Sequence, residues 1–180
     1  MWPGRAPVAS TAGTESGDGR VVVGVSGSLA SLAALRAAAD AARRSGRPLV
    51  AVTAWEPPEG EALYLRRPDP AWARHWRAEA RARLDGAFDA AFGGAPPGVG
   101  SERRVVRGRP ANALPGLAVH PYDLLVIGTR PGRRRPSRLH RGIGARAVCP
   151  VLTVPAPAVP RGLRRTLRRM TAEDFALVGR

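Results

Sequence analysis

From Tyr122 to Pro155 the chain reads YDLLVIGTRPGRRRPSRLHRGIGARAVCPVLTVP. Asp123-Leu-Leu-Val-Ile-Gly128 is a short apolar run closed by glycine, the pattern of a strand buried on both faces of a parallel sheet. Cys149-Pro-Val-Leu-Thr-Val154 repeats that pattern and is expected to be a second buried strand. Between them Gly128, Gly132 and Gly142 stand among hydroxyls and arginines. Glycines at the carboxyl end of a parallel strand let backbone amides approach an anion without Cβ obstruction, and phosphate is the natural guest.

Working outward, Arg20-Val-Val-Val-Gly-Val25 is another buried strand, left through the turn Ser26-Gly27-Ser28. Ser28 is placed to cap a helix whose apolar face includes Leu32, Leu35, Ala39 and Ala42, and Gly46 ends it. Pro48 to Ala54 is the next buried strand, so residues 20–54 make one βαβ unit. Prolines and glycine between Glu56 and Pro68 imply an irregular excursion. Asp69-Pro70 then starts a helix to about Phe92, with Trp72, Trp76, Leu84 and Phe88 on one apolar stripe. Glu102 to Val106 forms a shorter, more exposed strand. A third helix is expected from Gly108-Arg-Pro110 towards His120, kinked or split at Pro115, where a missing amide and a ring clash cost ~3 kcal/mol. His120 suits a helix end or the surface.

Five strands alternating with helical segments give an α/β, flavodoxin-like three-layer sandwich with a parallel sheet in the order 3-2-1-4-5. That order sets the carboxyl ends of the first and fourth strands side by side where the winding reverses. Ser26 to Ser28 then share a crevice with Thr129 to Gly132.

The chain has 180 residues and a formal charge of +15, every one of its 29 basic residues being arginine. Arg130 to Arg146 holds seven arginines and no acid, and Arg161 to Arg180 holds six against two acids. Such a field draws polyanions or acidic surfaces. A chain this rich in Ala, Gly, Pro and Arg equally reflects GC-rich coding, with solvated arginine as the default cation. A single cysteine, Cys149, excludes an internal disulfide and fits a reducing compartment; its place beside a proline at a strand start suits packing. The histidines are scattered, and no apolar run approaches the ~20 residues of a membrane span. A cytoplasmic protein is expected. Residues 1–19 are expected to be a disordered tail, residues 20–155 the domain, and residues 156–180 a basic tail in which Leu163, Leu167 and Met170 could form an apolar stripe.

No catalytic constellation is present. There is no lysine for a phosphate-binding loop of the Walker type, and Gly-Val-Ser26-Gly lacks the Gly-x-Ser-x-Gly spacing of a nucleophile elbow. Turn chemistry accounts for these serines.

Five pieces in register carry a resemblance to a known family. They are Val21-Val-Val-Gly-Val-Ser-Gly-Ser28, Pro48 to Trp55, Gly108-Arg-Pro-Ala-Asn-Ala-Leu114, Asp123 to Gly128, and Cys149 to Pro155. Together they resemble the universal stress protein (UspA-like) domain over residues 20–155. The resemblance implies the fold argued above, a homodimer through the last strand, and membership of either an ATP-binding or a non-binding branch. The binding branch carries Gly-x2-Gly-x9-Gly-Ser/Thr after the fourth strand. Here Pro131 stands at the second glycine position, Gly132 comes one place late, and Ile143 replaces the hydroxyl after Gly142. Ser26 stands where that branch has an acidic residue, while Ala54 keeps the place beside adenine. The last helix looks shortened.

The resemblance therefore marks Ser26, Gly27, Ser28, Ala54, Gly128, Thr129, Arg130, Gly132, Gly142 and Ile143 as the binding set, with ATP as the candidate cofactor of a degraded motif and no catalytic or metal residue. A lost hydroxyl and a short helix each weaken phosphate binding by ~1 kcal/mol, whereas an arginine contact returns roughly 1.5–3 kcal/mol. Two functions stay open. One is a non-catalytic stress module binding a nucleotide or related anion. The other is a partner module in which the arginines engage an acidic protein or nucleic acid.

Overall fold

The computed structural model describes residues 19–130, 137–158 and 162. The expectations for the amino-terminal tail before Gly19, for Gly132 and for the Leu163, Leu167 and Met170 stripe lie outside those residues. In chain order the elements are β1 (Val21–Gly24), α1 (Leu29–Ser45), β2 (Leu49–Trp55), α2 (Glu61–Arg66), α3 (Pro70–Phe92), β3 (Ser101–Arg107), α4 (Pro110–Ala113), β4 (Leu124–Thr129), α5 (Arg138–Gly144) and β5 (Val151–Pro155).

The aliphatic runs pair as parallel strands in the order β3-β2-β1-β4-β5, so the chain is a flavodoxin-like α/β sandwich. β1 is central, with Val22 opposite Val50 on one side and Leu125 on the other. Alternate residues feed two cores. Val21, Val23 and Val126 pack with Leu35 of α1 and Leu84 and Phe88 of α3 on one face. Val22, Val52, Leu125 and Ile127 pack with Leu114, Ile143 and Cys149 on the other. Each fully buried Leu, Phe or Val side chain contributes roughly 1.5–3 kcal/mol.

Local chemistry sets the helix ends. Ser28 caps α1, its Oγ accepting from the Ser31 amide at 3.3 Å, and Gly46 stops that helix at a φ of 71°. Asp69 caps α3, accepting from the amides of Ala71 (2.8 Å) and Trp72 (3.1 Å), with Pro70 in the first turn. The α1 face towards the sheet is alanine at 34, 38, 39 and 42, all fully or almost fully buried, so the helix lies close on the strands.

Several expectations are corrected. Trp72 is 53% exposed and Trp76 half-buried; the α3 stripe that reaches the core is Ala80, Leu84, Ala87 and Phe88. The two tryptophans instead stack on each other with ring centroids 6.0 Å apart. β5 is not buried on both faces, because it is a sheet edge: Leu152 and Thr153 are exposed, and the buried Cys149 precedes the strand. The helix from Pro110 ends at Ala113, and turns carry the chain past the buried Pro115 to β4, since proline has no amide to continue the ladder. The irregular excursion contains α2, held by Arg107, which pairs with Glu61 at 2.6 Å and lies over the Tyr64 ring at 4.8 Å.

Candidate functional site

Because β1 and β4 pair from Val21 opposite Leu124 to Val23 opposite Val126, their carboxyl ends open side by side. The crevice there has a volume of about 130 Å³. Val52, Thr53 and Ala54 line it from β2; Ser26, Ser28 and Ser31 bring hydroxyls from the β1–α1 turn and the first turn of α1. Pro110, Leu114 and Leu139 form an apolar wall, and Arg83 of α3 reaches in from the side. Ligand pockets usually begin at about 300 Å³, so these walls enclose only part of a typical small-molecule ligand.

The hydroxyls are partly committed. Ser28 Oγ lies 3.1 Å from Ser26 Oγ while capping α1, and Ser31 Oγ donates to the Ser28 carbonyl at 2.9 Å. Thr53 is buried and donates to the Val25 carbonyl at 3.0 Å, pinning the floor to the end of β1. Ser26 is the exposed hydroxyl with most freedom to meet a ligand. α1 brings 17 residues of aligned peptide dipoles and no acid in its first turn, so its amino end favours an anion. Arg83 makes no ion pair among the described residues, and a Cβ on Gly27 would meet its side chain at 3.2 Å. With a φ of 78°, Gly27 also sits where other residues are strained.

Of the sequence-derived set, Ser26, Ser28, Ala54 and Gly128 line the crevice, and Gly27 stands at its rim against Arg83. Gly128 has a second reason to be glycine. A Cβ there would lie 2.3 Å from the Ala30 carbonyl oxygen and 2.8 Å from the Ser31 nitrogen, inside the backbone of α1. Thr129 is engaged with the edge strand, its carbonyl accepting from Ala156 at 2.9 Å, and Arg130 is exposed away from the lining. Gly142 faces α4, where a Cβ would meet that of Ala111 at 2.9 Å, and Ile143 is fully buried in the core. Neither touches the crevice. α5 has seven residues and is capped by Ser137, whose Oγ accepts from the His140 amide at 3.3 Å.

Thr53, Arg83, Pro110, Leu114 and Leu139 were not singled out from the sequence as site residues. Pro110 and Leu114 fall within a stretch that matches the family, which was the available signal; Arg83 is one arginine among many on α3 and carried none. Cys149 stays a packing residue: burial, and then the Asp123 carboxylate, push its thiol up and away from the reactive thiolate. Among the described residues no group of three His, Cys, Asp or Glu side chains could hold a metal ion, and no helix is long and apolar enough to cross a membrane.

A model of the universal stress protein family matches residues 19–155. Comparison with curated protein sequences finds no match. Among solved structures, a protein of the universal stress protein family from Burkholderia pseudomallei is 26% identical, covering 77% of this chain and 97% of its own, with a TM-score of 0.56. The universal stress protein UspA from Lactobacillus plantarum is 22% identical over 76% of this chain and 97% of its own, with a TM-score of 0.57, and shares the fold. A universal stress protein in complex with cAMP is 26% identical over 77% of this chain and 98% of its own, but its TM-score of 0.49 is too loose to carry a ligand across. With a family match spanning the strands that build the crevice, this chain belongs to the universal stress protein family.

Proposed function

We propose that this chain is a non-catalytic, cytoplasmic stress-response module that binds the phosphate-bearing part of a nucleotide in the β1/β4 crevice. One observation carries the reading: the cleft between the two strand ends gathers Ser26, the amino end of α1 and the side chain of Arg83, which has no ion pair among the described residues. A guanidinium, a hydroxyl and a helix amino end form an anion site. Ala54, Pro110 and Leu114 give an apolar surface beside it for a nucleoside. ATP is the fullest ligand of this class, and the small enclosed volume makes its binding weak. The open edge at β5, with Leu152 41% exposed, supports pairing with a second copy.

Mass spectrometry of the supernatant after denaturing the purified protein, with calorimetry on the emptied protein, tests the reading. Bound or titratable adenine nucleotide is the expected result. No co-purified nucleotide, no heat and no thermal protection by ATP or AMP would overturn it. The partner reading is favoured by the exposure of Arg130, Arg138, Arg141 and Arg146 in the stretch between β4 and β5. It requires affinity for single-stranded nucleic acid or an acidic protein that falls steeply with salt.

A further inference from the structure

On the far side of the sheet from β5 lies a second, larger concavity of about 560 Å³ between α3 and β3, separate from the nucleotide crevice. Five arginines line it: Arg74, Arg77 and Arg81 from α3, Arg103 and Arg104 from β3. The helical three recur at i, i+3 and i+7, so they form a single row about 10 Å long, the length of three extended residues.

Two carboxylates are set among them. Asp85 holds Arg81 at 3.0 Å and Arg103 at 2.7 Å, and Glu102 holds Arg104 at 2.6 Å. Arg103 is further fixed by lying 4.0 Å over the Phe88 ring. Arg74 and Arg77 have no ion pair among the described residues. The groove thus keeps an excess of positive charge, with three guanidiniums already oriented and two left for an incoming anion.

Its floor decides the kind of anion. β3 pairs only with β2, at Leu49 opposite Ser101 through Trp55 opposite Arg107, so its other edge has no strand beside it among the described residues. Successive residues of a strand point to opposite faces, yet Arg103, Arg104, Val105 and Val106 all line the concavity. A groove lined by four consecutive residues runs along the edge of the strand, where its backbone donors and acceptors lie. Among the described residues no aromatic side chain lines it, so a nucleic acid finds no stacking platform in that lining. Arginines on a sheet edge repel basic strands and discourage pairing with uncharged ones, and the same arginines admit an acidic strand.

We propose that the α3/β3 groove is a docking site for an extended acidic segment of a partner protein, which adds as a strand to the free edge of β3 with carboxylates on Arg74 and Arg77. Strand addition takes its affinity from main-chain hydrogen bonds and its selectivity from alternate side chains. A motif of alternating acidic and aliphatic residues matches both the arginine row and the Val105 and Val106 floor.

The test is fluorescence anisotropy of a labelled peptide of alternating Glu and Val with the full chain. Binding is expected, lowered about tenfold for each inverted charge in Arg74→Glu and Arg77→Glu, which sit on an exposed helix face and leave the melting temperature unchanged. N-methylation of alternate peptide amides should abolish binding at unchanged charge, and saturating ATP should leave it intact. Equal affinity of the Arg74→Glu/Arg77→Glu variant or of the N-methylated peptide would overturn the proposal. So would an oligothymidylate that binds more tightly than the peptide and loses its affinity in that variant. Because ATP and the peptide occupy separate sites, failure of nucleotide binding leaves the peptide result standing.

Discussion

Replacing Gly128 by alanine separates two reasons for a glycine at the end of β4. If the residue is small only to let a phosphate approach, alanine reduces affinity and leaves stability alone. The structure argues otherwise: the new Cβ would lie 2.3 Å from the Ala30 carbonyl oxygen, 2.4 Å from its carbon and 2.8 Å from the Ser31 nitrogen. These are backbone atoms in the first turn of α1, which cannot rotate aside. Overpacking of this kind costs about 1–3 kcal/mol. Moving that turn also strains the bond from the Ser31 amide to Ser28 Oγ, and losing a helix cap costs ~1 kcal/mol. A total of about 3 kcal/mol lowers the melting temperature of a domain this size by roughly 6–12 °C. Gly24→Ala on the neighbouring strand is the control, since its Cβ meets only a methyl of Leu114, the movable end of a side chain, at 2.7 Å. Differential scanning calorimetry reads both. A Gly128→Ala protein that melts with the wild type, or no lower than Gly24→Ala, would refute the packing argument.

Three further outcomes follow from the fold. Asp123 is buried and accepts from the Arg20 amide at 2.7 Å and the His120 amide at 3.1 Å, so Asp123→Asn should destabilise by about 1.5–3 kcal/mol in urea titration. Leu84→Ala should cost about 2–5 kcal/mol while Trp72→Ala stays within ~0.5 kcal/mol, since the leucine is fully buried and the tryptophan 53% exposed. The hydrogen bond from Arg103, followed by those and the charges of Arg81, holds the Asp85 carboxyl below its ordinary range. A depressed folded pKa gives stability that is present above the unfolded value near ~4 and is lost as pH falls through the folded value. The stability difference between wild type and Asp85→Asn should therefore be constant at neutral pH and shrink in acid; a gap that widens in acid would contradict the pairing.

The sheet was legible because its strands advertise themselves. Arg20 to Val25, Pro48 to Ala54 and Asp123 to Gly128 are aliphatic runs with no polar face, and only the centre of a parallel sheet offers that environment. Caps at Ser28, Asp69 and Gly46 were equally local and came out where the residues put them. What failed was decided by neighbours. Trp72 and Trp76 keep helical period with Leu84, but the first turns of α3 leave Trp72 exposed and Trp76 half-buried outside the core, which periodicity alone cannot report. Val151 to Pro155 has the composition of a buried strand yet lies at an edge. At the site, glycine was read as room for a ligand, while Gly128 and Gly142 face α1 and Ala111. Arg83 reaches the crevice from α3, a helix separated from both strand ends in sequence, and no local pattern distinguishes it from the arginines around it.

The proposed role of the crevice between β1 and β4 is to receive a nucleotide. Backbone amide NMR during titration with AMP tests it most directly. Shifts concentrated at Gly27, Ser31, Ala54 and Gly128, with the Arg83 side-chain signal moving in step, are the expected result. Shifts confined to Arg74 through Arg81 and β3, or none at millimolar nucleotide, would contradict it.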